Sequence, residues 1–164
     1  MKHVEIERKY LIRMPESALL SRLPASEIEQ VYILSPEGGR ERIRRRDYGG
    51  RVVCTHTVKK GLSEFSRIEI EEEIGEDRYR ELLSRADPAR SVIHKRRLIY
   101  RYDGQDFEID LFPFWSDRAL MELELQNEAQ EIRLPPDVEV IREVSSDKSY
   151  TNSAIAREIP RETI

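Results

Sequence analysis

The sequence contains little that could cross-link the chain or carry it into a membrane. It has one cysteine, Cys54, so no internal disulfide bond can form, which is typical of proteins in a reducing compartment. No run approaches the ~18 apolar residues needed to cross a bilayer. The N-terminus also lacks the apolar region and the small-residue cleavage site of an export signal. We therefore predict a cytoplasmic protein that makes no contact with membranes.

Neither sign of charge dominates. The chain has 28 Lys and Arg residues against 32 Asp and Glu residues, for a net charge of −4. A protein that binds nucleic acid through a broad basic field has a clear excess of positive charge. We therefore expect no nucleic-acid partner, although charged residues make up 37% of the chain. Charge this dense and this balanced suggests that the two signs are sorted onto particular faces.

Several well-known catalytic and metal-binding motifs are missing. The sequence has no GxxxxGK[ST] phosphate-binding loop and no GxSxG nucleophile motif. His3, His56 and His94 stand apart, without the close spacing of a metal-binding pair. The alternating charged segments are therefore the best candidates for a functional site.

Turn signals such as Gly49-Gly50 and Asp103-Gly104 separate short segments that alternate with period two, the pattern of β-strands. The predicted strands cover residues 3–12, 29–34, 40–47, 51–59, 65–74, 92–102, 105–111 and 119–127, with 138–144 as a ninth candidate. The predicted helices cover residues 15–22, 76–86 and 150–158. This order predicts one all-β dominated (α+β) domain over residues 1–164, built as a barrel or a sandwich.

Charged side chains share one face of most predicted strands, because residues i, i+2 and i+4 of a strand lie on the same side. The sets are Glu5, Glu7 and Lys9; Arg40, Arg42, Arg44 and Arg46; Thr55, Thr57 and Lys59; Arg67, Glu69, Glu71 and Glu73; Lys95, Arg97 and Arg101; Glu108 and Asp110; and Glu122 and Glu124. For any one set the simplest interpretation is a solvated outer face. However, a face selected only for solubility would mix the two signs within each strand.

The repetition of this pattern favours a barrel with its charged face inward. A barrel of about eight strands can hold one small ligand. So many ionisable groups in one lumen would be very costly unless they were paired, hydrated or matched by ions. A polyanion with divalent cations between it and the carboxylates would satisfy both signs. The apolar face would then point outward and be covered by helices.

The opening Glu5-x-Glu7-x-Lys9 resembles the ExExK signature of the CYTH, or triphosphate tunnel metalloenzyme, family. Further segments similar to this family follow in order, and together they span residues 3–157. They are Arg42-x-Arg44, TVK ending at Lys59, Arg67-x-Glu69-x-Glu71, HKRR with Lys95 and Arg97, FEID with Glu108 and Asp110, MELEL with Glu122 and Glu124, and SDKSYTN near the C-terminus. The short chain resembles the family's short bacterial branch.

The resemblance implies an eight-stranded antiparallel closed β-barrel, a triphosphate tunnel with a few helices packed on its outside. Family members act on triphosphates with Mg²⁺ or Mn²⁺, and the short bacterial branch implies hydrolysis of inorganic tripolyphosphate to diphosphate and phosphate. Thiamine triphosphatase and class IV adenylate cyclase are alternatives within the family. A non-catalytic polyphosphate- or nucleotide-binding module is an alternative of another class, and a homodimer is left open.

The resemblance also implies roles for the charged side chains. Arginine suits phosphate because its planar fork can donate two parallel hydrogen bonds, whereas lysine acts as a point charge. The residues assigned to the triphosphate are Arg42, Arg44, Lys59, Arg67, Lys95 and Arg97. The residues assigned to metal are Glu5, Glu7, Glu122 and Glu124, with Glu69, Glu71 and Asp110 for a second ion.

Lys9 and Tyr32 are the predicted catalytic pair, which would orient or deprotonate the attacking water. We expect neighbouring cations to lower the pKa of Lys9 and so favour its role as a base. The alternative is that Lys9 only neutralises Glu5 and Glu7. Trp115, in the FPFW segment, is expected to plug one end of the barrel.

Overall fold

Nine antiparallel β-strands form one continuous sheet in the computed structural model. The structure describes residues 2–36, 40–61, 63 and 66–164, without the side chains of residues 2, 3, 40, 60, 61 and 67. The strands are β1 Lys2–Arg13, β2 Ala25–Ile33, β3 Arg40–Asp47, β4 Val52–Gly61, β5 Ser66–Ile74, β6 Ile93–Tyr102, β7 Gln105–Leu111, β8 Arg118–Glu124 and β9 Val140–Glu143. All eight predicted strands and the ninth candidate are therefore present.

Eight of these strands close into a barrel in the order β5-β4-β3-β2-β6-β7-β8-β1. Residues 2–6 of β1 pair with β5, whereas residues 7–13 pair with β8 on the other edge, and this double pairing closes the ring. Strand β9 pairs with residues 10–12 of β1 and lies outside the ring. The predicted eight-stranded closed barrel is thus confirmed.

The helices are short; α1 and α2 pack on the outer face of the barrel, and α3 lies at its plugged end. They are α1 Ser17–Leu20, α2 Glu76–Leu82 and α3 Asn152–Ile155, with 3₁₀ turns at Leu83–Arg85 and Lys148–Tyr150. Tyr79 and Leu82 of α2 pack against Ile33 and Ile43, which point outward from β2 and β3. Among the residues that the structure describes, no helix combines the length and apolar character needed to span a membrane.

The apolar side chains of the strands point away from the lumen, as predicted. Leu98, Ile109 and Met121 are buried on the outer face, beneath Leu19 of α1 and Val138 of the C-terminal segment. Their neighbours on the opposite face are charged and equally buried, because the lumen side chains shield one another from solvent. Burial of apolar side chains stabilises the fold, so the barrel is held together largely from its outside.

One end of the lumen is filled by apolar side chains. The inward-facing side chains change from charged to apolar between Lys9 and Leu11 in β1, and between Glu122 and Leu120 in β8. Trp115 packs with this group, in agreement with its predicted role as a plug. The other members of the buried cluster are Ile93, Phe112, Val144, Tyr150, Ile155 and Ala156.

Candidate active site

A polar cavity of about 310 Å³ occupies the lumen next to the apolar plug. Most of the predicted site residues line it. They are Glu5, Glu7, Lys9, Tyr32, Arg42, Arg44, Lys59, Glu69, Glu71, Arg97, Glu122 and Glu124. Lys95 and Asp110 are buried behind the cavity wall, and the side chain of Arg67 lies outside the described residues.

The two signs of charge occupy opposite halves of the barrel. Strands β4, β3, β2 and β6 are adjacent in the sheet. Strands β4 and β3 contribute Lys59, Arg42, Arg44 and Arg46, with Glu41 as the exception in sign, and β6 contributes Lys95 and Arg97. Strands β7, β8, β1 and β5 form the other half and contribute the carboxylates. A ligand in the cavity would therefore meet cations on one side and carboxylates on the other.

The cationic half offers hydrogen-bond donors that the protein itself does not use. Arg42 Nε is buried and has no hydrogen-bond partner among the described residues. Burial and the neighbouring Arg42 and Arg97 lower the pKa of Arg44 to about 9. Lys59 is paired with Glu5 at 3.0 Å, and burial together with Arg42 lowers the pKa of Lys59. Like charges packed this closely repel one another, and an anion in the cavity would relieve the repulsion.

Asp110 holds the two buried cations of β6. Its Oδ1 and Oδ2 accept hydrogen bonds from Arg97 Nε at 2.7 Å and Nη2 at 2.9 Å. Lys95 Nζ lies 2.8 Å from Asp110 Oδ2 and donates to Asn152 Oδ1 at 3.1 Å. Arg97 and Lys95 keep the pKa of Asp110 well below its usual range despite its burial. In this structure Asp110 is an ion-pair partner of the cationic half, and its predicted role as a metal ligand finds no support.

Lys9 lies in the acidic half, at the plugged end of the cavity. Its Nζ is 3.1 Å from Glu122 Oε1 and donates to the carbonyl oxygen of Tyr150 at 3.2 Å. Burial opposes the charge, but Glu122 and Glu7 outweigh it and raise the pKa of Lys9. The prediction that neighbouring cations lower this pKa is wrong, because the register of β1 and β8 places Lys9 opposite Glu122. The carboxylates around Lys9 therefore favour its protonated, charged form.

The carboxylates of the acidic half crowd one another. Burial, and then the nearby Glu122, raise the pKa of Glu7 to about 7. The described residues contain no group of three His, Cys, Asp or Glu side chains already converged on one point. Hard oxygen ligands in this number nevertheless suit a divalent cation, because Mg²⁺ typically uses one or two carboxylates and completes its shell with water and substrate phosphates.

Tyr32 is also in the wall of the cavity, but it does not contact Lys9 through a hydrogen bond. Its hydroxyl oxygen accepts from Gln30 Nε2 at 2.7 Å. The predicted pair therefore shares a cavity without forming a direct bond in the described structure.

Sequence reasoning assigned no site role to several residues of the cavity wall. Arg46 and Glu108 belong to the predicted charged faces, so the alternation could have identified them. Gln30 is fully buried beside Tyr32 and not part of the wall; it is uncharged, and the only available signal was its two-residue spacing from Tyr32. The C-terminal residues Thr151, Asn152 and Ser153 also line the cavity, and the resemblance of the SDKSYTN segment could have pointed to the first two.

Comparison with known proteins gives two informative matches. No protein-family model matches the chain. The chain is 34% identical over 158 residues to an inorganic triphosphatase of Nitrosomonas europaea, a match that covers 95% of this chain and 99% of that protein. The crystal structure of an inorganic triphosphatase superposes with a TM-score of 0.61 at 30% identity, over 95% of this chain and 99% of the other.

A more distant structure shares the fold. A conserved hypothetical protein from Pyrococcus furiosus has 22% identity and a TM-score of 0.56, over 76% of this chain and 80% of the other. The barrel fold is therefore one that dissimilar sequences can adopt.

Proposed function

This chain belongs to the CYTH, or triphosphate tunnel, family together with the inorganic triphosphatase of Nitrosomonas europaea, and on that premise we propose that it hydrolyses inorganic tripolyphosphate to diphosphate and phosphate. One observation carries the proposal: the lumen holds a cavity with an unused cationic donor, Arg42 Nε, on one side and crowded carboxylates on the other. The cations suit a chain of phosphates, and the carboxylates suit the metal ions that accompany it.

The size and chemistry of the cavity favour an inorganic substrate. Its volume of about 310 Å³ lies at the lower end of the range of small-molecule sites, which runs from about 300 to 1,000 Å³. Tyr32 is the one aromatic side chain in the described lining. A thiamine or adenine ring is usually held by apolar or aromatic surface, and this lining consists mainly of charged groups.

We propose Mg²⁺ or Mn²⁺ as the cofactor. Glu5, Glu7, Glu122 and Glu124 would hold the first ion, and Glu69 and Glu71 are the nearest candidates for a second. A bound cation would favour the charged form of Glu7, whose pKa the neighbouring carboxylates raise. When bound, such a cation neutralises charge on the phosphate oxygens.

The chain's own residues would act mainly by position and charge, as phosphoryl transfer requires. Arg42, Arg44 and Lys59 would bind the phosphate oxygens along the cationic half. Lys9 would place a fixed positive charge at the plugged end, within reach of the last phosphate. Its ammonium group has three N–H donors, of which Glu122 and the Tyr150 carbonyl engage two.

Replacing Arg42 by glutamine should weaken tripolyphosphate binding about tenfold, since a hydrogen bond to a charged group contributes about 1.5–3 kcal/mol. The free energy of unfolding should stay within about 0.5 kcal/mol of the wild type, because Arg42 Nε has no partner to lose. Calorimetric titration and urea unfolding measure the two quantities. Arg45→Gln is the matched control, because Arg45 lies on the outer face of the same strand and pairs with Glu76. An equal loss of affinity in both variants would contradict the assignment.

The proposed activity is tested by measuring phosphate release from tripolyphosphate, thiamine triphosphate and ATP, each with Mg²⁺, with Mn²⁺ and with a chelator. We expect the fastest release from tripolyphosphate and no release in the chelator. Tight binding of tripolyphosphate without release in either metal would instead indicate a non-catalytic module. Formation of cyclic AMP from ATP would indicate a cyclase.

A further inference from the structure

Gln30 joins two cavity residues through a chain of hydrogen bonds. It is completely buried, with 0% of its surface exposed. Its Oε1 accepts from Arg44 Nε at 3.0 Å and from Arg44 Nη2 at 2.8 Å. Its Nε2 lies 2.7 Å from the hydroxyl oxygen of Tyr32. The register of β2 and β3 brings these residues together, since Gln30 pairs directly with Arg44.

Arg44 permits only one orientation of the Gln30 amide. A guanidinium group carries five N–H donors and no acceptor, so the amide oxygen must face Arg44. The amide nitrogen must then face Tyr32. Because that nitrogen is a donor, the Tyr32 oxygen is the acceptor in the bond between them.

The hydroxyl hydrogen of Tyr32 is therefore available for another bond. Within the described part of the chain, Gln30 is the one hydrogen-bond partner of this hydroxyl, and Tyr32 lines the cavity. The groups that a triphosphate presents are acceptors. We propose that Gln30 is a positioning residue that fixes the polarity of the Tyr32 hydroxyl, so that Tyr32 donates a hydrogen bond to a phosphate oxygen.

This role differs from orienting or deprotonating the attacking water, which the sequence resemblance implied for Tyr32. It rests on the proposed function only for the identity of the ligand, a chain of phosphates. The polarity itself follows from the three bonds of Gln30. It also links Tyr32 to Arg44, because the same amide group bonds to both side chains.

The decisive variant is Gln30→Glu, which has the same shape and reverses the polarity. One carboxylate oxygen would still accept from Arg44, while the other would accept from the Tyr32 hydroxyl. The Tyr32 oxygen would then turn its lone pairs toward the phosphates. The added negative charge also weakens anion binding, so its contribution must be separated from that of the hydroxyl.

A double-mutant cycle with Tyr32→Phe makes this separation, because the added charge is present in both backgrounds while the hydroxyl is present in one. The four proteins are the wild type, Gln30→Glu, Tyr32→Phe and the double variant. Calorimetry measures the Kd of tripolyphosphate in a chelator, where metal-dependent hydrolysis does not interfere. Gln30→Glu should weaken binding about five- to tenfold more with the hydroxyl present than in the Tyr32→Phe background, as expected for one hydrogen bond to a charged group.

Gln30→Leu distinguishes polarity from a merely structural contribution. Leucine removes both bonds but leaves the Tyr32 hydroxyl able to rotate and donate, so its coupling to Tyr32→Phe should be less than about twofold. A structural role predicts similar coupling for leucine and glutamate. Coupling below about twofold for Gln30→Glu, or equal coupling for both variants, would overturn the proposal.

The outcome is independent of whether the chain is an enzyme. Coupling in Kd without phosphate release by the wild type would support the role of Gln30 and reject the proposed function. Phosphate release by the wild type without coupling in Kd would support the proposed function and reject the role of Gln30. If the wild type bound tripolyphosphate neither in the chelator nor with Mg²⁺, both would be rejected.

Discussion

Replacing Lys9 by methionine is expected to lower the turnover of tripolyphosphate about a hundredfold, which corresponds to about 2.7 kcal/mol of barrier. Lys9 is fixed at the plugged end of the cavity by Glu122 and the Tyr150 carbonyl, and its raised pKa keeps it charged. A preorganised charge of this kind acts where charge develops in the transition state. Ground-state binding should change by less than about fivefold, because the arginines of β3 supply most of the attraction.

Initial rates of phosphate release at saturating substrate, together with calorimetric Kd values, test this expectation. Lys9→Gln keeps a neutral hydrogen-bond donor and should lose nearly as much activity if the charge is what matters. Lys148→Met is a suitable control, because Lys148 is an exposed lysine in the C-terminal segment that contains Tyr150. If Lys9→Met retained turnover within about threefold, about 0.7 kcal/mol, Lys9 would only balance the charge of its neighbours. Thermal unfolding of each variant confirms that the comparison is between folded proteins.

The largest effect on stability is expected for Asp110→Asn, which should lower the free energy of unfolding by about 3–5 kcal/mol. Asp110 accepts two hydrogen bonds from Arg97 and one ion pair from Lys95, and all three side chains are buried. Asparagine has nearly the same shape but no charge, so Lys95 would lose its ion-pair partner and Arg97 would keep only Glu108, at 3.0 Å. Uncompensated buried charge is much more costly than a lost surface ion pair.

Urea unfolding in a chelator measures this loss without any contribution from bound metal. Asp106→Asn is the control, because Asp106 lies on the same strand and pairs with Arg101 at 2.9 Å on the surface. That variant should lose at most about 0.5 kcal/mol. If Asp110 acted chiefly as a metal ligand, Asp110→Asn would resemble the control in the chelator, and the ion-pair assignment would be wrong.

The strands and the charged lumen could be predicted from the sequence because both are local, periodic properties. A shift of one residue moves every side chain of a strand to the other face, so an unbroken alternation indicates which residues share a side. The members of the sets around Glu5, Arg42 and Glu122 whose side chains the structure describes all line the cavity, as expected. The sequence does not show which set faces which, since that depends on pairings between distant strands.

The errors concern contacts across the barrel. Lys9 was expected to lie among cations, whereas pairing with β8 places it beside Glu122. The pairing with β6 that places Asp110 against Arg97 could not be predicted either, while metal binding by Asp110 stays a prediction. Gln30 lies within the predicted strand 29–34 and within β2, which begins at Ala25, but it carries no charge. An isolated amide gives no periodic signal, and its importance appears only when Arg44 and Tyr32 are placed beside it.

The separation of cations and carboxylates onto opposite halves of the barrel gives the lumen an internal electric field across its axis. A neutral molecule gains little in such a field, and a bare anion is attracted by one wall and repelled by the other. A phosphate chain that carries its counterions along one edge has a dipole of its own, and it can align with both walls at once. The barrel would therefore select the salt of the polyanion as a unit and orient it before any single contact forms.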